Sequence, residues 1–253
     1  MARSPDPRRE LFRRLTAQAR RTVRTPDAEQ VHNLRVAIRR FNQAAALAQD
    51  ASGLKKTRKH LKKAMELAGR VRDADITMKL VAKLRPAGTS TLQEKLARRR
   101  AEREQRLIAA LPKIAAQLEI GKPSLEGKPP QVAISAAAER LFERGSKADD
   151  ARGLHRLRIA AKKLRYTLEL LAPEHARMDQ IKRLQSLLGD INDYETARRI
   201  IAEESGAKTL AAQFEDRQRK KIREFRSYWK SDFERAGEAR EWLAELPQAR
   251  TAA

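Results

Sequence analysis

Leu154-His155-Arg156-Leu157-Arg158-Ile159-Ala160-Ala161-Lys162-Lys163-Leu164-Arg165 decides how this chain is read, because an earlier stretch matches it: Val31-His32-Asn33-Leu34-Arg35-Val36-Ala37-Ile38-Arg39-Arg40-Phe41-Asn42. The pattern H-x-L-R-x-A occurs twice. On a helix, Val31, Leu34, Ile38, Phe41 and Ala45 make one apolar stripe, and Leu154, Leu157, Ala161, Leu164 and Leu168 make its counterpart. Each stripe must face a core. His32, Arg35, Arg39 and Asn42 form a second stripe about 100° round from the first, matched by His155, Arg158, Lys162 and Arg165. A solvated charge face lies opposite the apolar one; these cations instead border the buried side. Long side chains snorkelling over a core edge are the ordinary explanation for one such helix. The same residue types at the same offsets in a second helix weigh against it.

The chain has 253 residues, enough for one large domain or two small ones. Charged residues make up 35% and Gly and Pro number ten each, which excludes a low-complexity tail and favours a helix-rich globular protein. Lysine and arginine total 56 against 33 acidic residues, a net charge of +23. Such an excess calls for a polyanion: nucleic acid, an acidic membrane surface or inorganic polyphosphate. There is no cysteine, so disulfides and thiolate metal sites are excluded. No apolar run approaches the ~18 residues of a membrane span, and the expected location is the cytoplasm.

In chain order, a helix starts near Pro5–Pro7 with Asp6 as a capping candidate and ends near Arg24; the first matched helix runs to about Asp50. A long helix from Leu54 stops at Arg85-Pro86-Ala87-Gly88, and a fourth, capped by Thr89-Ser90, carries Pro112, which should kink or split it. Residues 120–130 hold Gly121, Pro123, Gly127, Pro129 and Pro130 and read as a linker. Beyond it the plan restarts: a short helix to Gly145, a cap at Asp149 or Asp150, the second matched helix to Pro173, a helix from Glu174 to about Glu204, and a last one from about Ala207 past Trp229. Trp242 falls on a terminal turn.

Leu67-Ala68-Gly69-Arg70-Val71-Arg72-Asp73 also matches Leu187-Leu188-Gly189-Asp190-Ile191-Asn192-Asp193. Two matched elements in the same order point to duplication. The expected fold is all-α, two four-helix bundles related by pseudo-twofold symmetry, with residues 1–119 and 131–237 as the units and 238–253 as a tail.

Arginine offers a planar fork of donors and lysine a mobile point charge, both suited to phosphate oxygens, and a histidine beside several phosphates gains a proton. One helix presents such groups every 4.5 to 6 Å or so, a row matched to a linear phosphate polymer. The following helix adds Lys62, Lys63 and Arg72 in the first half and Lys182 and Arg183 in the second. Gly69 and Gly189, in mid-helix, each cost about 1 kcal/mol, which close approach of another helix would offset.

These twin His-Arg helices and the Gly-x-[Val/Ile]-x-Asp elements resemble the CHAD family, the conserved histidine α-helical domain, from about Asp6 to Trp229. The resemblance implies paired helical bundles with a basic central channel that binds inorganic polyphosphate without catalysis. It places His32, Arg35, Arg39, His155, Arg158, Lys162 and Arg165 on the channel wall, with Arg40 and Lys163 beside them. Asn42 departs from the basic residue often found there. Family members are often joined to a triphosphate tunnel domain marked by a strand bearing E-x-E-x-K. Glu102-Arg103-Glu104-Gln105-Arg106 sits in a helical stretch instead, so no tunnel hydrolase is expected.

No P-loop, H-E-x-x-H or glycine-rich cradle is present, and His32, His60, His155 and His175 lack partners of metal-site spacing. The expectation is no enzyme, metal or cofactor. Two alternatives stand beside polyphosphate and its granules as partners. One is nonspecific binding of nucleic acid or acidic proteins by a basic helical surface; the other is His32 or His155 as a phosphoryl acceptor. Stacking platforms for nucleic acid are scarce: Phe41, Phe142, Phe214, Phe225 and Trp229 read more simply as core.

Overall fold

The computed structural model describes residues 7–48, 54–84, 90–120, 130–202, 204, 207–234 and 241–242. The proposed cap Asp6, the stops at Asp50 and Arg85–Gly88, Thr89 and most of the 120–130 linker lie outside them. Among the described residues the regular structure is eight α-helices without a strand pairing into a sheet: α1 Pro7–Arg24, α2 Ala28–Ala46, α3 Lys55–Leu84, α4 Ser90–Ile120, α5 Pro130–Gly145, α6 Ala151–Leu171, α7 Met178–Ile201 and α8 Lys208–Asp232. None of them is long and apolar enough to cross a membrane. The all-α expectation holds.

The two matched helices begin with one device. Asp27 caps α2 by accepting from the Gln30 amide at 2.7 Å, and Asp150 caps α6 by accepting from the Gly153 amide. Each cap contributes about 1 kcal/mol and stands five residues before the histidine, so it sets where the basic row starts. The stripes then orient the helices. Val31, Leu34, Ile38, Phe41 and Ala45 are all buried, as are Leu154, Leu157, Ala161, Leu164 and Leu168. At ~2 kcal/mol per large apolar side chain, Val31, Leu34, Ile38 and Phe41 supply about 8 kcal/mol, far above any exposed ion pair on the same helix.

The chain forms two compact units, Met1–Gly127 with Thr196–Ala211, and Lys128–Glu195 with Ala212–Ala253. In the first, α1 packs on α2, α2 on α3, α3 on α4 and α4 on α1, closing a four-helix ring. Its interior holds Leu15, Val31, Leu34, Ile38, Phe41, Leu61, Val71, Leu96, Leu107 and Leu111. Pro112 does not split α4, which continues to Ile120 with the proline on its exposed side. Lys95 and Arg99 of α4 reach Glu204 at 3.5 and 2.6 Å.

In the second unit one core joins α5, α6, α7 and α8 through Leu141, Leu157, Leu164, Ile181, Leu188, Phe225 and Trp229. Gly145 is required where Trp229 lies against the end of α5: a Cβ there would stand 1.8 Å from the indole ring. Trp242, 1% exposed, packs against Phe142 and stacks on His175, which is itself buried. Phe41, Phe214, Phe225 and Trp229 are core, as expected, with Phe142 packed against it.

Candidate functional site

In the first unit the basic row is built by two helices. Arg35 leaves α2 and reaches α3, where its Nη1 donates to the Met65 carbonyl at 3.3 Å. Gly69 lies one turn beyond Met65 on the same face of α3. A Cβ at Gly69 would stand 2.8 Å from Arg35 Nη1. The glycine therefore makes room for a guanidinium, where the sequence had suggested a neighbouring helix. The α3 face that carries Met65 and Gly69 also carries Arg72, seven residues after Met65.

Arg72 acts on α2 through its charge, felt at His32. Partial burial, then the charges of Arg72, Arg39 and Arg35 in that order, hold the His32 imidazole below its ordinary pKa. Three guanidiniums from two helices thus disfavour the cation of one histidine. A bound anion reverses the balance, because negative charge favours the cation. With α2 and α3 antiparallel, the register that sets Arg35 against Met65 carries Arg39 toward the level of Leu61 and Lys62. Lys62 and Lys63 are exposed. Asn42 is half-buried at the end of the row.

Arg40 stands apart. It is about 140° round α2 from Arg35 and lines a groove with Arg14 and Arg21 of α1.

In the second unit the matched row differs at its partners. His155 and Lys163 are exposed, and Arg158 and Lys162 are half-buried. Arg165 is fastened: its Nε donates to Glu169 at 2.7 Å and its Nη1 to Gln185 at 2.9 Å. Gln185 in turn donates to the Ala161 carbonyl, joining α7 to α6. Lys182 pairs with Asp179 at 2.8 Å. Arg183 lies 4.4 Å over the Tyr228 ring, facing α8 and not α6. Burial and Asp232 push the Tyr228 hydroxyl up to about 12 against the opposing charge of Arg183, so it stays protonated and donates to the Gln180 carbonyl. At Gly189 a Cβ would meet nothing within 4 Å, and the position matching Arg72 is Asn192.

On α4, Arg100 and Arg103 hold structure. Arg100 contacts Asp75 and Glu104 at 2.9 and 2.6 Å, and Arg103 donates to the Arg70 carbonyl at 3.1 Å.

A model of the CHAD domain family matches residues 8–202, ending where α7 ends and short of the expected Trp229. A crystal structure of the CHAD domain from the plant Ricinus communis is similar to this chain with a TM-score of 0.54 at 20% identity, covering 93% of this chain and 88% of that one. At that identity the likeness carries the fold. No curated protein matches.

Proposed function

The chain belongs to the CHAD domain family, and on that premise we propose that it binds inorganic polyphosphate along its basic rows and does not transform it. The observation that carries this reading is the cluster around His32. Arg35, Arg39 and Arg72 act together on one imidazole at the edge of a buried stripe. Successive phosphates of a linear polymer repeat the charge that such a row needs, and guanidinium forks bind their oxygens in pairs. The row His32, Arg35, Arg39 and Arg72, with Lys62 nearby, is the principal seat; Lys63, about 160° round α3 from Met65, lies off it. His155, Arg158 and Lys162 form a weaker one. Arg165 and Arg183 hold their own structure, Lys182 makes an exposed and exchangeable pair with Asp179, and Arg40 and Lys163 lie off the rows.

The test is competition. At ~0.15 M salt, polyphosphate of increasing length displaces duplex and single-stranded DNA from the protein, because counterion release weakens nonspecific binding there. DNA holding equally well returns the general basic-surface reading. Chain length is unchanged after incubation when followed by gel electrophoresis; shortening, or label transferred to His32, establishes an enzyme. Exposed Arg106 and Lys113 of α4 provide the control substitutions.

A further inference from the structure

The groove between α1 and α2 in the first unit is unlike the polyphosphate seat. It encloses about 320 Å³ and has Arg14, Arg21 and Arg40 around a lining that includes Leu11, Ala17, Val36 and Ala37. Its register is set at one end, where Gln18 and Thr22 of α1 both donate to the Gln30 carbonyl, at 3.3 and 3.2 Å. With the two helices antiparallel, Arg21 lies near the start of α2, and Arg14 lies toward Ala37 and Arg40. Seven residues separate Arg14 from Arg21, two helical turns or about 10.5 Å. Cations therefore stand at both ends of a middle in which Ala17, Val36 and Ala37 lie beside the neutral amides of Gln18 and Asn33.

A phosphate polymer suits this place poorly. It is charged at every unit, and its central phosphates would lose water against the methyl groups of Ala17, Val36 and Ala37 with only the neutral amides of Gln18 and Asn33 beside them and no cation. The complementary ligand carries negative charge two turns apart with apolar side chains between, which is one face of an acidic amphipathic helix. Arg14 makes an exposed contact with Glu10 at 2.9 Å, a pair weak enough to exchange for a partner's carboxylate.

We propose that the α1–α2 groove is a docking site for an acidic amphipathic helix of a partner protein, with carboxylates seven residues apart seated on Arg21 at one end and on Arg14 and Arg40 at the other. Leucine or alanine side chains in the intervening turn fill the space over Ala17, Val36 and Ala37. Arg40 then serves a protein ligand, although it stands next to Arg39 in the sequence.

The probe is a synthetic helix of about five turns with Glu at i and i+7 and Leu at i+3 and i+4, titrated by fluorescence anisotropy into the full chain at ~0.15 M salt. Its control is a permuted peptide of identical composition. The ordered peptide binds at least tenfold more tightly than the permuted one, and Arg21→Gln with Arg40→Gln weakens it about tenfold, the loss expected for two partly exposed charge pairs. Saturating polyphosphate leaves it bound, and the double variant retains its polyphosphate affinity within a factor of two or so. Equal binding of the two peptides, or indifference to the double variant, overturns the proposal. Displacement by polyphosphate, with loss of polyphosphate affinity in the double variant, also overturns it and makes the groove an extension of the anion row.

Discussion

The α2 row and the α6 row begin alike, each with an aspartate cap five residues before its histidine, yet they meet different neighbours. On α3, Gly69 leaves room for Arg35 and Arg72 adds a third guanidinium to Arg39 and Arg35 around His32. On α7, Gln185 and the i+4 carboxylate Glu169 take up Arg165, and Asn192 stands in the place of Arg72. Matching residues on one helix therefore do not make matching sites. The facing helix decides what each cation contacts.

The largest test of this contrast compares the rows directly. Arg35→Ala with Arg39→Ala and Arg72→Ala lowers polyphosphate affinity at least ~100-fold by isothermal titration calorimetry, since each charge-assisted contact contributes about 1.5–3 kcal/mol. Arg158→Ala with Lys162→Ala costs about tenfold, the loss expected for two weaker, partly exposed charge pairs. Equal losses break the comparison.

Next in size is the pH dependence. In the empty protein the His32 pKa is lowered by partial burial and by Arg72, Arg39 and Arg35, and bound phosphate raises it. Binding then takes up a proton, so affinity increases as pH falls from 8 toward the lowered pKa, by at most about tenfold per unit. His32→Gln flattens the profile; an unchanged slope removes His32 from the seat.

The glycines sharpen the comparison further. Ala at Gly189 meets open space, so Gly189→Ala stabilises the fold by up to ~1 kcal/mol in urea titration and leaves binding alone. Gly69→Ala keeps much of that gain, because the neighbour that must shift is the flexible end of Arg35, but displacing the guanidinium weakens polyphosphate binding roughly threefold to tenfold. Smallest of all, Glu169→Gln releases Arg165 and raises affinity by a factor of about two or three.

The helices and their inward faces were legible because burial follows a period of 3.6 residues, and every predicted member of the α2 and α6 stripes is buried. Local chemistry also narrowed the second cap to Asp149 or Asp150, and the fold uses Asp150. The first matched helix ended early, at Ala46. Arg40 could be told from Arg39 by its angle on the helix, and that signal went unused in grouping the two. The fastening of Arg165 by Gln185 had no signal in the α6 segment, since its partner is twenty residues away on another helix.

Residues alone established a helical chain with two basic rows bordering buried stripes, because helix formation and amphipathicity are local and periodic. Tertiary packing decided which arginine found an acceptor, which glycine made room for a side chain and which histidine stood among cations. Those outcomes depend on the few ångströms between one helix and the next, a distance that no spacing along a single helix encodes.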